Sequence, residues 1–234
     1  MTSRPNSIIN KNHPYFQKIK QIRSSLTLPL FLNEVLIGLI LGDGHLYRSS
    51  PSSNTRLELS FKGDYLNYAN YIYGLFIYYI GTGPRKVDTT SSTGNKIYPS
   101  IRLKTLSLPL FNQYYNLFYY WNSDLNKWVK KVPSNMSELM TPVVLAFLLM
   151  SDGNFDKGRN RIRIYTNNFT KSETYLLAKS IENNLKIVTS VLYDRNDQYI
   201  ITIGAKQLVL LRELVTPHFH PSMLYRIGLP NSTI

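Results

Sequence analysis

Two stretches of the chain are almost wholly apolar, residues 35–41 and 142–150, and both fall far short of the roughly 20 residues needed to span a bilayer. Segments apolar on every side predict buried helices. Each ends in a small residue followed by Asp-Gly: Gly42-Asp43-Gly44, then Ser151-Asp152-Gly153. Pro142 near the start of the second helix costs nothing there, and Gly44 and Gly153 are expected to stop each helix in a left-handed conformation. Alternation then takes over. Leu57, Leu59 and Phe61 alternate with Arg56, Glu58, Ser60 and Lys62, as Ile162 and Ile164 do with Arg161, Arg163, Tyr165 and Asn167, which predicts half-buried strands. A helix follows over 64–79 or 171–185, then a second strand pair, 85–89 with 96–104 and 187–195 with 199–204. Arg195-Asn196-Asp197-Gln198 suits a tight hairpin, whereas residues 89–95 form a longer Ser/Thr/Gly loop. A last helix closes each half, over 106–121 or 206–216. The expected fold is α+β, two αββαββα halves with antiparallel sheets.

That doubling is an internal repeat of long period. Displaced by 109 positions, Val35-Leu36-Ile37-Gly38-Leu39-Ile40-Leu41-Gly42-Asp43-Gly44 falls on Val144-Leu145-Ala146-Phe147-Leu148-Leu149-Met150-Ser151-Asp152-Gly153. The strand that begins at Arg56 resembles the one at Arg163, and each half later brings a basic residue just before a proline, Lys131-Val132-Pro133 and Arg226-Ile227-Gly228-Leu229-Pro230. A duplication accounts for all three matches together. The expected domains are a basic extension over 1–27, a first half over 28–133 and a second over 134–234.

Composition narrows the partner. The 27 Lys and Arg outnumber 14 Asp and Glu, a net charge of +13 with pI near 9.8. Such a balance points to a polyanion, either nucleic acid or an anionic membrane surface. The absence of cysteine excludes disulfides, thiolate zinc and cysteine nucleophiles, and the four histidines show no metal-ligand pattern. Residues 1–12 have no apolar core, so no secretory signal is expected, and the expectation is a soluble, intracellular protein.

The outward strand faces decide between the polyanions. One face should pack on helices. The other carries Arg56, Glu58, Lys62, Lys96, Tyr98, Ser100, Arg102 and Lys104 in the first half, and Arg159, Arg161, Arg163, Tyr165 and Asn167 in the second. Strand ends and turns add Tyr47, Arg48, Arg85, Lys86, Lys157, Tyr193, Arg195, Gln198 and Thr202 as expected DNA contacts. Any antiparallel sheet has a polar face, but not an excess of one sign. Basic forks interleaved with Tyr, Asn and Ser suit phosphates and base edges.

Asp43 and Asp152 stand out among the acids because each ends an apolar helix, where the macrodipole and the nearby core both disfavour a carboxylate. One such Asp-Gly would pass for a turn. Two at matched positions in a basic protein point to a bound divalent cation, which offsets both penalties. Carboxylates and a scissile phosphate can hold Mg²⁺ for phosphodiester hydrolysis. Gly38, Gly42 and Ala146 leave room for the two helices to approach, bringing the aspartates together, one for each strand of a duplex. Lys131 and Arg226 are the expected basic side chains beside the attacking waters.

These residues resemble the LAGLIDADG homing endonucleases, in the single-chain, two-motif branch encoded by organellar introns. The motifs read Leu36-Ile37-Gly38-Leu39-Ile40-Leu41-Gly42-Asp43-Gly44 and Leu145-Ala146-Phe147-Leu148-Leu149-Met150-Ser151-Asp152-Gly153, with Leu139-Met140-Thr141-Pro142, Lys131-Val132-Pro133 and Pro221-Ser222-Met223-Leu224-Tyr225-Arg226 in support. The resemblance runs from about Leu30 to Leu229. It implies motif helices between the halves, saddle-like sheets on the major groove of a long asymmetric site, and Mg²⁺- or Mn²⁺-dependent cleavage across the minor groove, leaving short 3′ overhangs. It further implies Ca²⁺ supporting binding without cleavage, and metal ligation by Asp43, Asp152 and the main-chain carbonyls of Gly42 and Ser151. Double-stranded DNA is the implied partner, with intron RNA as a second, for a monomer in the mitochondrion or another organelle. Three departures carry expectations. Ile37 and Phe147 replace smaller residues and should loosen the helix packing. Gly42 and Ser151 replace alanine, which a ligating carbonyl tolerates. Arg226 replaces lysine and cannot act as a base, so a weaker second cleavage site is expected; Lys130 could stand in for Lys131. The rival readings are an RNA maturase that assists splicing and a bare DNA-binding module.

Overall fold

The computed structural model describes residues 14–90, 97–195 and 198–231. A first helix, α1 (Pro14–Ser25), precedes the first half: α2 (Leu30–Leu41), β1 (His45–Tyr47), β2 (Arg56–Lys62), α3 (Leu66–Leu75), β3 (Arg85–Thr90), β4 (Ile97–Lys104) and α4 (Asn112–Phe118). A hairpin of β5 (Tyr119–Asn122) and β6 (Lys127–Lys130) and a short α5 (Met136–Leu139) lead into the second half. That half is α6 (Pro142–Asp152), β7 (Gly153–Asp156), β8 (Arg161–Tyr165), α7 (Lys171–Leu185), β9 (Ser190–Tyr193), β10 (Tyr199–Ile203) and α8 (Leu208–Val215). The αββαββα order occurs twice, and the two antiparallel sheets have matching strand orders, β1-β2-β4-β3 and β7-β8-β10-β9. The αββαββα fold expected from alternation is present.

The axis of the molecule is the pair α2 and α6. Val35 to Leu41 and Val143 to Ser151 are buried throughout. Apolar surface on all sides of two short helices is satisfied only when each lies between its own sheet and its partner. A Cβ on Gly38 would stand 2.6 Å from the Val144 carbonyl oxygen and 2.7 Å from the Phe147 Cβ. Phe147 is fully buried and lies against the Tyr71 ring at 6.4 Å between centroids. The bulky residue therefore does not loosen the packing as expected, because Gly38 opposite it supplies the space. Thr141 caps α6 through the Val144 amide at 3.2 Å, with Pro142 beside it.

Several local expectations need correction. Neither Gly44 nor Gly153 is left-handed; among the described glycines only Gly228 has positive φ. Their smallness serves closeness instead, since a Cβ on Gly44 would meet the Leu39 carbonyl oxygen at 2.6 Å and one on Gly153 the Leu149 carbonyl oxygen at 2.4 Å. The helix expected over 64–79 is divided into a 3-10 turn at Gly63–Tyr65, α3, and a second turn at Ile77–Tyr79. The one expected over 106–121 ends at Phe118, because the aromatic run from Tyr119 pairs as a strand with Lys127–Lys130 around a turn at Asn126 (φ 47°). In the extension assigned to 1–27, α1 is ordered helix. Among the described residues no single helix is long and apolar enough to cross a membrane.

Candidate active site

Where α2 and α6 end side by side, Asp43 and Asp152 line one cavity of about 310 Å³ with Lys62, Tyr65, Tyr68 and Arg226. The approach is as close as backbone allows: a Cβ on Gly42 would lie 2.4 Å from the Ser151 Cβ and 3.4 Å from the Asp152 Oδ2. Close-packed apolar helices deliver the two carboxylates to one place. Burial, together with the charge of Asp43, raises the Asp152 carboxyl to about 7, against the pull of Lys130 and Arg226. The Asp43 side chain is open to solvent on one side, yet the protein crowded around its carboxyl also raises it, opposed by Arg226, Lys130 and Lys62.

The basic partners come from opposite kinds of element. Lys130, the last residue of β6, points its ammonium at the end of α2 and donates to the carbonyls of Ile40 (2.8 Å), Gly42 (3.0 Å) and Gly44 (2.8 Å). Burial lowers it to about 8, while Asp152 and Asp43 hold it up. The expectation of Lys131 gives way to its neighbour Lys130, whose side chain makes these three bonds, while Lys131 lies just past the end of β6, where its amide donates to the Phe118 carbonyl at 2.8 Å. Arg226 sits in a 3-10 stretch, Pro221–Ile227. Its Nη1 donates to the Gly153 carbonyl at 2.7 Å and its Nε to the Tyr225 hydroxyl at 3.1 Å. Gly44 and Gly153 are matched by the repeat, so both basic groups reach the same carbonyl of their own motif.

Sequence reasoning missed the surrounding support. The Tyr119 hydroxyl lies 3.2 Å from the His45 Nδ1 and accepts from the Leu46 amide at 3.1 Å, fixing the hairpin against β1. Burial lowers the His45 imidazole, and Lys130 adds to it. The Tyr65 and Tyr225 hydroxyls are 2.7 Å apart and tie the start of α3 to the Arg226 segment. The sequence signal for the hairpin was slight: two short runs rich in aromatic and β-branched residues, Tyr119 to Asn122 and Lys127 to Lys130, separated by turn residues.

A candidate cation fits the donor set. Asp43, Asp152 and the carbonyls of Gly42 and Ser151 offer only oxygen, the chemistry of Mg²⁺ or Mn²⁺. Among the described residues no cluster of three or more His, Asp or Glu could hold an ion unaided. Two carboxylates leave coordination positions for water and phosphate oxygens, as a hard cation that dehydrates reluctantly requires. A positive ion would also relieve the raised Asp152 carboxyl.

The outer sheet faces are basic, though not in every predicted residue. Register places Arg56, Glu58, Ser60 and Lys62 of β2 on one face with Ser100, Arg102 and Lys104 of β4, and Arg85 directly opposite Arg102. Tyr98 is exposed on the same strand, and Tyr47 lies under the Arg56 guanidinium at 4.2 Å. Arg56 also pairs with Glu58 at 2.7 Å. In the other sheet Arg161 and Arg163 share the outer face with Asp156 and Asn154, and Tyr165 lines the acidic cavity. Lys157 and Arg159 stand exposed in a 3-10 turn, while Arg195 and Gln198 flank the β9–β10 turn.

The remaining expected positions depart from the outer strand face, or lie beyond it, for identifiable reasons. Lys86 pairs with buried Ile101 and so lies on the helix-side face; Tyr193 pairs with Tyr199, in step with Val191 and Ile201, and faces the same way in its own sheet. Thr202 is 6% exposed and its hydroxyl donates to the Ser190 carbonyl at 3.3 Å. Arg159 and Asn167 lie outside β8, in turns rather than on its alternating face. Arg48 is turned back on its own loop, donating to the carbonyls of Ser53 (2.8 Å) and Pro51 (2.5 Å). Lys96 lies outside the described residues.

Residues 33–211 match the family model described as the LAGLIDADG DNA endonuclease family. Among curated proteins the chain is 26% identical over 207 residues to the cytochrome b mRNA maturase bI2 of Saccharomyces cerevisiae, covering 86% of this chain and 48% of that protein. It is 25% identical over 203 residues to the DNA endonuclease I-ChuI of Chlamydomonas applanata, covering 83% and 93%. The chain thus spans about half the length of the yeast relative. Among solved structures, the homing endonuclease I-WcaI bound to its DNA recognition sequence shares the fold, with a TM-score of 0.80, 22% identity and 97% of each chain covered.

Proposed function

The chain belongs to the LAGLIDADG DNA endonuclease family, and from that premise we propose that it is a site-specific endonuclease that cuts both strands of a long, asymmetric DNA target. One observation carries the reading: two carboxylates from matched helix ends share a single cavity with two basic side chains, one bonded to a carbonyl of each motif, between two basic sheets. The sheets grip the duplex; Arg85 opposite Arg102 is a like-charge pair that an anion between them would relieve.

Within this proposal Asp43, Asp152 and the carbonyls of Gly42 and Ser151 hold Mg²⁺ or Mn²⁺. When bound, such an ion neutralises charge on the scissile phosphate and lowers the pKa of a bound water. Lys130 and Arg226 orient the attacking waters and stabilise charge developing on each phosphate. Ca²⁺ supports binding without cleavage, and the products carry short 3′ overhangs. The protein acts as a monomer, because both half-sites lie on one chain, and an organelle such as the mitochondrion is its proposed location. The maturase relative favours a second activity on intron RNA, which the same basic faces could bind.

The test incubates the protein with a randomised duplex library, in Mg²⁺ and in Ca²⁺, and sequences the cut and bound fractions. Asp43→Asn and Asp152→Asn should lose cleavage in Mg²⁺ while enriching the same bound sequences in Ca²⁺. Unimpaired cutting by both variants would refute the site assignment. Splicing assistance, if present, should survive both substitutions.

A further inference from the structure

On the outer face of the second sheet, Asp156 is hydrogen-bonded to three neighbours at once. Its Oδ2 accepts from the Arg161 Nε at 3.1 Å and the Arg163 Nη2 at 2.6 Å, and its Oδ1 accepts from the Arg159 amide at 3.3 Å. A carboxylate offers about four lone-pair sites, so roughly one is left. Burial works against its ionisation, but the hydrogen bonds from Arg161 and Arg163 outweigh it and hold the carboxyl below its usual range. The three side chains are 16%, 15% and 27% exposed, for Asp156, Arg161 and Arg163, so they are half set into the surface rather than waving in solvent.

Two arginines that share one aspartate are poor phosphate clamps, because one of their two charges is already neutralised. Their value is fixed direction. Arg161 gives Asp156 only its Nε, so its two terminal amino groups have no hydrogen-bond partner among the described residues and remain available as a fork on the outer face of β8. That fork matches the O6 and N7 acceptors of guanine in the major groove. Phosphate contact falls instead to the exposed Lys157 and Arg159 on the adjoining turn, neither of which has an ion-pair partner among the described residues. By strand register the matched places in the first sheet hold Tyr47, Arg56 and Glu58, so the halves present different chemistry at equivalent positions, as an asymmetric target demands.

We propose that Asp156 is a specificity-determining positioning residue, presetting Arg161 and Arg163 to read guanine in one half-site. This rests on the DNA-cleavage reading above. The test measures Ca²⁺-supported binding and Mg²⁺-supported cleavage of every single-base variant of the selected target, for the full chain and for Asp156→Asn. Asparagine retains an oxygen for the Arg159 amide, so thermal unfolding should move by only a few degrees.

The expected result is that one or two adjacent G·C pairs, discriminated roughly tenfold or more by the natural protein, become nearly indifferent in the variant. Discrimination elsewhere should persist. Unchanged discrimination at every position, or a uniform loss at all positions, overturns the proposal. Should Asp156→Asn fail to fold, Arg161→Lys keeps the acid and its turn but removes the fork, and must lose preference at one of the same pairs. If the natural protein selects no sequence in Ca²⁺, the parent reading fails and this one with it; selection without an effect of Asp156 refutes this one alone.

Discussion

Burial and the adjacent charge of Asp43 raise the Asp152 carboxyl to about 7, well above its ordinary 3.8. Between about pH 4 and 7 the folded state therefore keeps a proton that the unfolded chain has lost. Stability from this group is full at the acid end of that window and declines as pH rises through 7. Metal ligation needs the ionised form, so affinity for Mg²⁺ should climb over the same range. Calorimetry from pH 5 to 9 should show the metal-free protein losing stability towards pH 8, with Mg²⁺ restoring it. Asp152→Asn should raise the metal-free Tm at pH 8 by roughly 3–8 °C; a lower Tm would show that the carboxylate stabilises the fold. Lys130 makes a sharper residue-level contrast. Its three bonds to the carbonyls of Ile40, Gly42 and Gly44 place it at the end of α2 that carries Asp43, whereas Lys131 lies just beyond β6 and makes no such side-chain bond among the described residues. Single-turnover cleavage should fall about a hundredfold or more in Lys130→Met, on the scale of a lost electrostatic or acid–base group, and stay within about threefold in Lys131→Met. Equal losses would place both lysines in the site.

At the scale of elements, space rather than backbone conformation decides which glycines matter. Gly38 faces the Val144 carbonyl and Phe147 across the α2–α6 contact, while Gly74, inside α3, has nothing within 4 Å of the place a Cβ would take. Gly38→Ala should destabilise the protein by about 1–3 kcal/mol through overpacking. Gly74→Ala should stabilise it by about 0.5–1 kcal/mol through helix propensity. Chemical denaturation of the two variants reads both signs, and a stable Gly38→Ala would mean the helices can part without cost. This scale also explains what could be read beforehand. The Asp-Gly helix ends, the strand alternation from Arg56 and Arg161, and the doubled order were legible because they depend on local period. The hairpin from Tyr119 to Lys130 was hidden by a pattern that also suits a helix, and with it went the identity of the buried lysine. Asp156 escaped notice because its role needs two arginines from the next strand. Lys86 and Tyr193 were misplaced because a strand's face depends on register, which one residue reverses.

For the whole molecule, the net charge of +13 and the facing pair Arg85 and Arg102 make salt the natural probe. Arg102→Ala should weaken Ca²⁺-supported binding across related sequences and reduce the salt slope of log K by about 1. An unchanged slope would place Arg102 off the phosphate backbone. A deeper consequence comes from the imperfect symmetry of the two centres. Lys130 and Arg226 reach matched carbonyls, Gly44 and Gly153, yet they arrive on a strand and on a 3-10 turn. Lys130 is lowered to about 8, so it can exchange a proton near neutral pH, whereas arginine stays charged throughout. If both groups only supplied positive charge, the two strands would be cut at similar rates. If proton exchange contributes, the strand served by Lys130 should be cut first, and its rate alone should rise with pH through about 8. A supercoiled target would then accumulate a nicked intermediate before becoming linear. Arg226→Lys should shorten the lifetime of that intermediate, provided the shorter ammonium still reaches the Gly153 carbonyl. Equal strand rates at every pH in the natural protein would show that charge alone is at work in both halves, and would remove the reason to regard Arg226 as the weaker partner.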